Sequence, residues 1–212
     1  MKLDLYVVTD EELSNGKSHV EIARQAVLGG ADAIQLREKK KPAQEILADA
    51  REIRKITASA GRLFFVNDRL DIALASGADG VHLGQDDLPL KEARKISPPG
   101  FLIGISVGSV EEALLAEKDG ADYVALSPVF STQSKTDAGP GSGLSVLKEI
   151  RSRVSVPVVA IGGIGTRNVQ DVVHAGADGI AVISAVVSAP DIPAAAKDMK
   201  FRITAAKSSR EF

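Results

Sequence analysis

The sequence predicts one α/β domain closed into a (β/α)8 barrel, and three observations carry that prediction. A Gly-Ala-Asp phrase recurs four times, beginning at residues 30, 77, 120 and 176. Each copy follows a helix-like stretch and leads into a short apolar run: AIQL, GVHL, YVAL and GIAV. A second apolar run accompanies each copy, at residues 5–9, 63–67, 101–106 and 156–162. The intervals between copies are too long for one β-α unit of about 25 residues and fit two. Near-continuous apolar strands alternating with helices specify a parallel sheet covered on its outside. Eight such units in sequence favour closure, the TIM-barrel architecture. A doubly wound open sheet is the structural alternative.

The chain has 212 residues, 44% hydrophobic and 25% charged, a balance that supports a sizeable core. The barrel is expected over residues 1–206, with a flexible polar tail at 207–212. A net charge of −2 argues against a general nucleic-acid binder but leaves room for a local basic pocket. The lack of cysteine excludes a disulfide, a thiolate metal site and a cysteine nucleophile, and it fits the cytoplasm, the expected location. The first apolar run is too short for a signal core, and no segment approaches a membrane span. Neither nucleic acid nor membrane is therefore an expected partner. Homo-oligomerisation is left open.

Active sites of such barrels lie at the C-terminal ends of the strands, so the residues just beyond each strand are the informative ones. Strand two runs into Gln35, Leu36, Arg37, Glu38 and Lys39. Alternation puts Gln35, Arg37 and Lys39 on one face, a donor set suited to an anion. Lys40 and Lys41 read as solvated charges. Strand three ends at Asn67-Asp68-Arg69 and strand four at Gln85-Asp86-Asp87. Carboxylates on adjacent strand ends suit Mg²⁺, which takes one or two of them together with water and phosphate oxygens. Either Asp68 or Asp87 alone would also serve as a helix cap. Strand five ends at Ser106, which could face the barrel mouth; Ser109 with Glu112 reads as a capping box.

Strand six leads into a connection far longer than a usual βα loop, carrying Lys135. Such a segment could close as a lid and bring Lys135 to the reacting centre. Strand seven ends at Gly162-Gly163-Ile164-Gly165, with Thr166 expected to start a helix, and strand eight at Ile183-Ser184. Loops after strands seven and eight commonly form a phosphate site from backbone N–H groups. The histidines give no catalytic pair. His82 reads as a packed barrel residue, and His19 and His174 as helix-end residues. No serine-histidine-acid set, Walker loop or zinc spacing occurs.

The segments QLREK (35–39), VNDRLDIA (66–73), GADGVHLGQDD (77–87), GADYVALSPVFSTQSK (120–135), AIGGI (160–164) and GADGIAVIS (176–184) together resemble thiamine phosphate synthases. The resemblance covers nearly the whole chain. It implies condensation of 4-amino-2-methyl-5-hydroxymethylpyrimidine diphosphate with 4-methyl-5-(2-hydroxyethyl)thiazole phosphate, or its carboxylated form, in thiamine biosynthesis. Pyrophosphate leaves first, and the thiazole nitrogen captures a pyrimidine-methyl cation. By resemblance, Gln35, Arg37, Lys39, Asn67, Ser106 and Lys135 bind the pyrimidine diphosphate. Arg37, Lys39, Ser106 and Lys135 carry the catalytic roles. Asp68 and Asp87 match the ligands of one Mg²⁺ per subunit, with Asp86 ranked below them. Thr132, Ser134, Gly163, Ile183 and Ser184 match contacts to the thiazole phosphate.

The chain departs from the family pattern at Gly108, where many relatives carry histidine. It departs also at Ser131 and Ser134, in place of frequent proline and threonine, and at Leu126-Ser127. Detail around the lid is thereby in doubt. A thiazole tautomerase is the nearest rival, but such relatives tend to lose the metal aspartates and to use a histidine near Gly108. A non-catalytic thiazole phosphate-binding regulatory barrel and a sugar-phosphate isomerase are the other readings.

Overall fold

The computed structural model describes residues 1–132 and 141–210, without the side chain of residue 210. Eight strands alternate with helices: β1 Leu5–Val8, α1 His19–Leu28, β2 Ala33–Leu36, α2 Ala43–Ser59, β3 Leu63–Asn67, α3 Leu70–Ser76, β4 Gly80–Leu83, α4 Leu90–Ile96 and β5 Leu102–Val107. They continue as α5 Val110–Lys118, β6 Tyr123–Leu126, α6 Gly143–Arg153, β7 Val158–Ile161, α7 Val169–His174, β8 Gly179–Val182, α8 Ser184–Val187 and α9 Ile192–Arg210. The strands pair in parallel and in sequence order, and β8 returns to β1, so the barrel is closed. The open-sheet alternative is excluded. Helix α9 runs through 207–210, where a tail was expected; Lys207 Nζ meets Asp4 Oδ1 at 2.6 Å and the Asp178 carbonyl at 2.5 Å.

The repeated Gly-Ala-Asp phrase has a mechanical reason. Gly30, Gly77, Gly120 and Gly176 all have positive φ, so each turns the chain sharply after a helix, where a side chain would be strained. The alanines that follow, Ala31, Ala78, Ala121 and Ala177, are buried. Each aspartate then clamps the start of the preceding odd strand. Asp32, Asp79, Asp122 and Asp178 accept the backbone N–H of Leu5, Phe64, Ile103 and Val158 at 3.0, 2.8, 2.7 and 2.9 Å. Each also holds a cation from a covering helix: Lys200 for Asp32, Arg54 for Asp79, Arg94 for Asp122 and Arg151 for Asp178. A hydrogen bond to a charged group contributes about 1.5–3 kcal/mol. Four copies therefore fasten the N-terminal face and leave the opposite face free for chemistry.

Alternation along the strands divides the apolar residues into two sets. Leu5, Val7, Ile34, Leu36, Phe64, Val66, Val81, Leu83, Ile103 and Ile105 face the helices. Tyr6, Val8, Phe65, Tyr123, Ala125, Val159, Ile161, Ala181 and Ile183 fill the barrel interior. Gln35, Asn67 and His82 are polar yet buried. Gln35 pairs with Val8 and with Phe65 in the sheet register, which places its side chain inside the barrel with theirs.

Candidate active site

The end of β2 supplies the cations. Arg37 lies mostly buried, and its Nη1 is 3.3 Å from Asp10 Oδ2 at the end of β1. Asp10 is itself fixed, because its Oδ1 accepts the Leu13 N–H at 3.1 Å. Asp10 thus anchors the Arg37 guanidinium; position beyond a strand was the available signal, and no neighbouring motif marked it. The positive charges of Arg37 and Lys39 both act on Asp68. Lys40 pairs with Glu12, and Lys41 with Glu11 and Asp49, so both serve the surface as expected.

Asp68 follows β3 with φ 62°, a left-handed conformation uncommon outside glycine. Its backbone N–H is held by the His82 carbonyl at 2.8 Å, which ties the strained residue to β4. Strain of this kind persists only where the surroundings impose it, and it gathers at functional sites. The side chain meets Asp87, whose Oδ2 also accepts the Gly84 N–H at 2.6 Å. Burial pushes the Asp68 carboxyl up to about 6, reinforced by the hydrogen bond and charge of Asp87 and opposed by Lys39 and Arg37. Neither aspartate caps a helix with its side chain: Arg69 and Pro89 occupy the cap positions of α3 and α4.

On the opposite side of the mouth lies a pocket of about 630 Å³, lined by Ser127, Pro128, Ser131, Thr132, Gly162, Gly163, Ile164, Gly165, Ile183 and Ser184 among others. Its size suits a small ring with a phosphate arm. Leu13, Ile161 and Ala181 add apolar wall. Gly163 has φ 63°, and a Cβ there would lie 2.7 Å from the Ser131 carbonyl, so only glycine fits this close approach. Two details differ from expectation. Helix α7 starts at Val169 rather than at Thr166, with Asn168 at its N-terminus. Asn168 Oδ1 takes the Gly165 N–H at 2.8 Å and its Nδ2 bonds the Gly163 carbonyl at 2.9 Å, which removes the Gly165 N–H from the donors for an anion.

A chain of hydrogen bonds crosses the barrel beneath the mouth. Gln35 Nε2 donates to the Tyr6 hydroxyl at 2.8 Å, Tyr6 meets the Tyr123 hydroxyl at 3.1 Å, and Tyr123 meets His82 Nδ1 at 2.9 Å. His82 Nε2 reaches Ser106 Oγ at 2.9 Å. The Tyr123 ring occupies space that only glycine leaves at position 104, where a Cβ would come within 2.0 Å of the ring. Burial raises both phenols above their ordinary value, so each keeps its proton. The packed reading of His82 holds, but the chain it belongs to was invisible in sequence.

The described residues bring together Gln35, Arg37, Lys39, Asn67, Asp68, Asp87 and Ser106 on the β2–β5 side, and Thr132, Gly163, Ile183 and Ser184 on the β6–β8 side. Ser134 and Lys135 lie outside the described residues, as does most of the expected lid. Glu11, His19 and Glu38 also have metal-ligand spacing. That cluster already holds a cation, Lys41 Nζ, 2.8 Å from Glu11, and His19 spends Nδ1 on Thr9 at 2.7 Å. Burial works against ionisation of Glu11, yet its bonds to Lys41 and the His19 backbone keep its carboxyl below the usual range. Among the described residues no helix is long and apolar enough to cross a membrane.

Comparison with known proteins bears on this geometry. The family model described as thiamine monophosphate synthase matches residues 5–186. The thiamine-phosphate synthase of Methanoculleus marisnigri is 63% identical over 98% of both chains, and that of Methanoregula boonei is 61% identical over 98% of this chain and 96% of its own. A solved thiamine phosphate pyrophosphorylase from Pyrococcus furiosus superposes with a TM-score of 0.88, at 45% identity and covering 96% of each chain. A 3-hexulose-6-phosphate synthase, at 20% identity and a TM-score of 0.73, shares the fold.

Proposed function

The chain belongs to the thiamine monophosphate synthase family and is a transferase, and from that premise we propose that it joins a hydroxymethylpyrimidine diphosphate to a thiazole phosphate, releasing pyrophosphate. The observation that carries this reading is the arrangement of one mouth. A carboxylate pair with two cations stands across from a glycine-lined pocket, which gives one subsite for a diphosphate and one for a monophosphate.

The donor set fits a hard dication. Asp87 lies close enough to act on Asp68, which burial and that negative neighbour make resist ionisation until the charge is compensated. Asp68 and Asp87 would hold Mg²⁺, which supplies charge neutralisation to the departing diphosphate. Arg37 and Lys39 add positive charge on the same side, and Lys135 is assigned to the leaving group. One preorganised electrostatic contact of this kind is worth about 3–4 kcal/mol.

In the proposed reaction the methylene–oxygen bond breaks and its electron pair leaves with pyrophosphate. The pyrimidine-methyl cation is then captured by the lone pair of the thiazole nitrogen. No proton has to move to create that nucleophile, so the step needs no histidine base. The apolar wall of Leu13, Ile161 and Ile183 keeps water from the cation while the thiazole waits beside it. Gln35, Asn67 and Ser106 are assigned to the pyrimidine, and Thr132, Ser134, Gly163, Ile183 and Ser184 to the thiazole phosphate, either carboxylated or not.

Chromatography of the products from each substrate alone and from both together tests the reading. Thiamine phosphate formed only from the pair supports it. Isomerised thiazole phosphate without condensation supports a tautomerase, and binding without any product supports a regulatory barrel.

A further inference from the structure

We propose that His82 is a positioning residue for the pyrimidine subsite, holding Ser106 as a hydrogen-bond donor at the end of a chain that begins at Gln35. The subsite assignment rests on the function proposed above; the chain itself does not.

The argument is a count of protons. Each phenol and the serine carry one hydroxyl proton, and a neutral imidazole carries one N–H. Gln35 Nε2 donates to the Tyr6 oxygen. The Tyr6 proton is then free for its other partner, Tyr123, 3.1 Å away. Tyr123 in turn gives its proton to His82 Nδ1 at 2.9 Å, which makes Nδ1 the bare nitrogen and Nε2 the N–H. Nε2 donates to Ser106 Oγ at 2.9 Å. Every proton between the two ends is now committed, which leaves the second amide proton of Gln35 at one end and the hydroxyl proton of Ser106 at the other, the latter to point toward a ligand in the mouth. The opposite polarity would leave the buried Tyr6 proton without an acceptor, unless the Gln35 carbonyl replaced its amide nitrogen, and would leave Ser106 only able to accept.

Position supports the same conclusion. The chain crosses the barrel from β2 through β1, β6 and β4 to β5, so its two ends reach the mouth on different strands. Packing fixes the imidazole plane: Tyr123 stacks on it at 5.6 Å with 25° between planes, and Phe65 meets Tyr123 edge-on at 5.6 Å. Gln35 and His82 are both buried, while Ser106 is half-buried at the rim. The ends therefore offer a primary amide and a hydroxyl donor. This pattern matches an aminopyrimidine, whose ring nitrogens accept and whose exocyclic amine donates. The cations on the same side of the mouth, Arg37 and Lys39, suit phosphate instead.

Two measurements test the proposal. Nitrogen NMR of protein labelled at histidine reports the His82 tautomer without any substrate. A protonated Nε2, lost to a mixture in Tyr123→Phe, is the expected result; a protonated Nδ1 in the unaltered protein overturns the polarity. Kinetics then follow Ser106→Ala, His82→Leu, His82→Gln and the double change Ser106→Ala with His82→Leu. His82→Leu is expected to raise KM for the pyrimidine diphosphate about tenfold, as expected for a lost binding hydrogen bond, with the thiazole phosphate KM unchanged. His82→Gln, which keeps an amide donor, should recover part of that loss. In the Ser106→Ala background His82→Leu should cost nothing further. Additive losses, or equal losses for both substrates, would show His82 acting only on the fold and overturn its positioning role. Turnover by the unaltered protein separately checks the underlying function.

Discussion

Asp68 at the end of β3 and Asp87 beyond β4 lie close enough to act on each other, and burial together with the Asp87 carboxylate pushes Asp68 up to about 6. A carboxyl group raised in this way has a defined response to pH. The Asp68 value is raised in the folded chain above its ordinary 3.8, so the folded state binds more proton between those values. Without metal, the stabilisation from this proton is fully present below the ordinary value and fades as pH rises through about 6. A dication must displace the proton. The Mg²⁺ concentration for half-maximal activity is therefore expected to rise as pH falls below about 6, and Asp68→Asn should flatten that dependence while weakening Mg²⁺ binding. Mg²⁺ titrations of activity across that range check this.

Leaving-group charge gives the second prediction. Arg37→Ala and Lys135→Ala are each expected to lower kcat by about 100-fold or more with the fold retained. Asp10→Ala should act through Arg37, with a smaller loss and none added to Arg37→Ala. Steady-state kinetics with circular dichroism as the fold control decide. Near-normal turnover in Lys135→Ala would remove that residue from the mechanism.

The clamp at the N-terminal face predicts stability rather than activity. Asp32 is almost wholly buried, and it holds Leu5 N–H, Arg62 and Lys200. Asp32→Ala strands those partners and should cost roughly 3–5 kcal/mol, or a fall in Tm of roughly 6–20 °C. Residual activity per folded molecule should be unchanged, because the site lies at the other end of the barrel. Calorimetry beside active-fraction kinetics measures both.

Gly163 predicts a substrate-selective defect. Gly163→Ala must place a Cβ 2.7 Å from the Ser131 carbonyl at φ 63°. The strain of about 1–2 kcal/mol is expected to raise KM for the thiazole phosphate about tenfold and to leave the pyrimidine KM alone. Paired KM determinations check the selectivity.

These expectations were unequally legible in the sequence. The barrel was readable because the Gly-Ala-Asp turn must recur wherever a helix hands over to an even strand, and the structure gives each of its three residues a job. Arg37, Lys39, Asp68 and Asp87 could be singled out by their place just after strands, a rule that needs no side-chain contact. Tyr6 and Tyr123 were not found, and His82 was read only as packed core, because each sits within a strand. Their partnership joins residues 117 apart in sequence, through the closed barrel. Asp10 escaped for a related reason: its partner Arg37 lies on the next strand. The start of α7 was misplaced from Thr166 to Val169 because Asn168, three residues beyond Gly165, competes for its backbone N–H.

Pyrophosphate release by the purified protein, with both substrates and with either Mg²⁺ or EDTA, tests the central claim most directly. The account predicts release that needs both Mg²⁺ and the pyrimidine diphosphate and that matches thiamine phosphate mole for mole. Absence of release from a folded protein that binds thiazole phosphate, or equal release in EDTA, would contradict it.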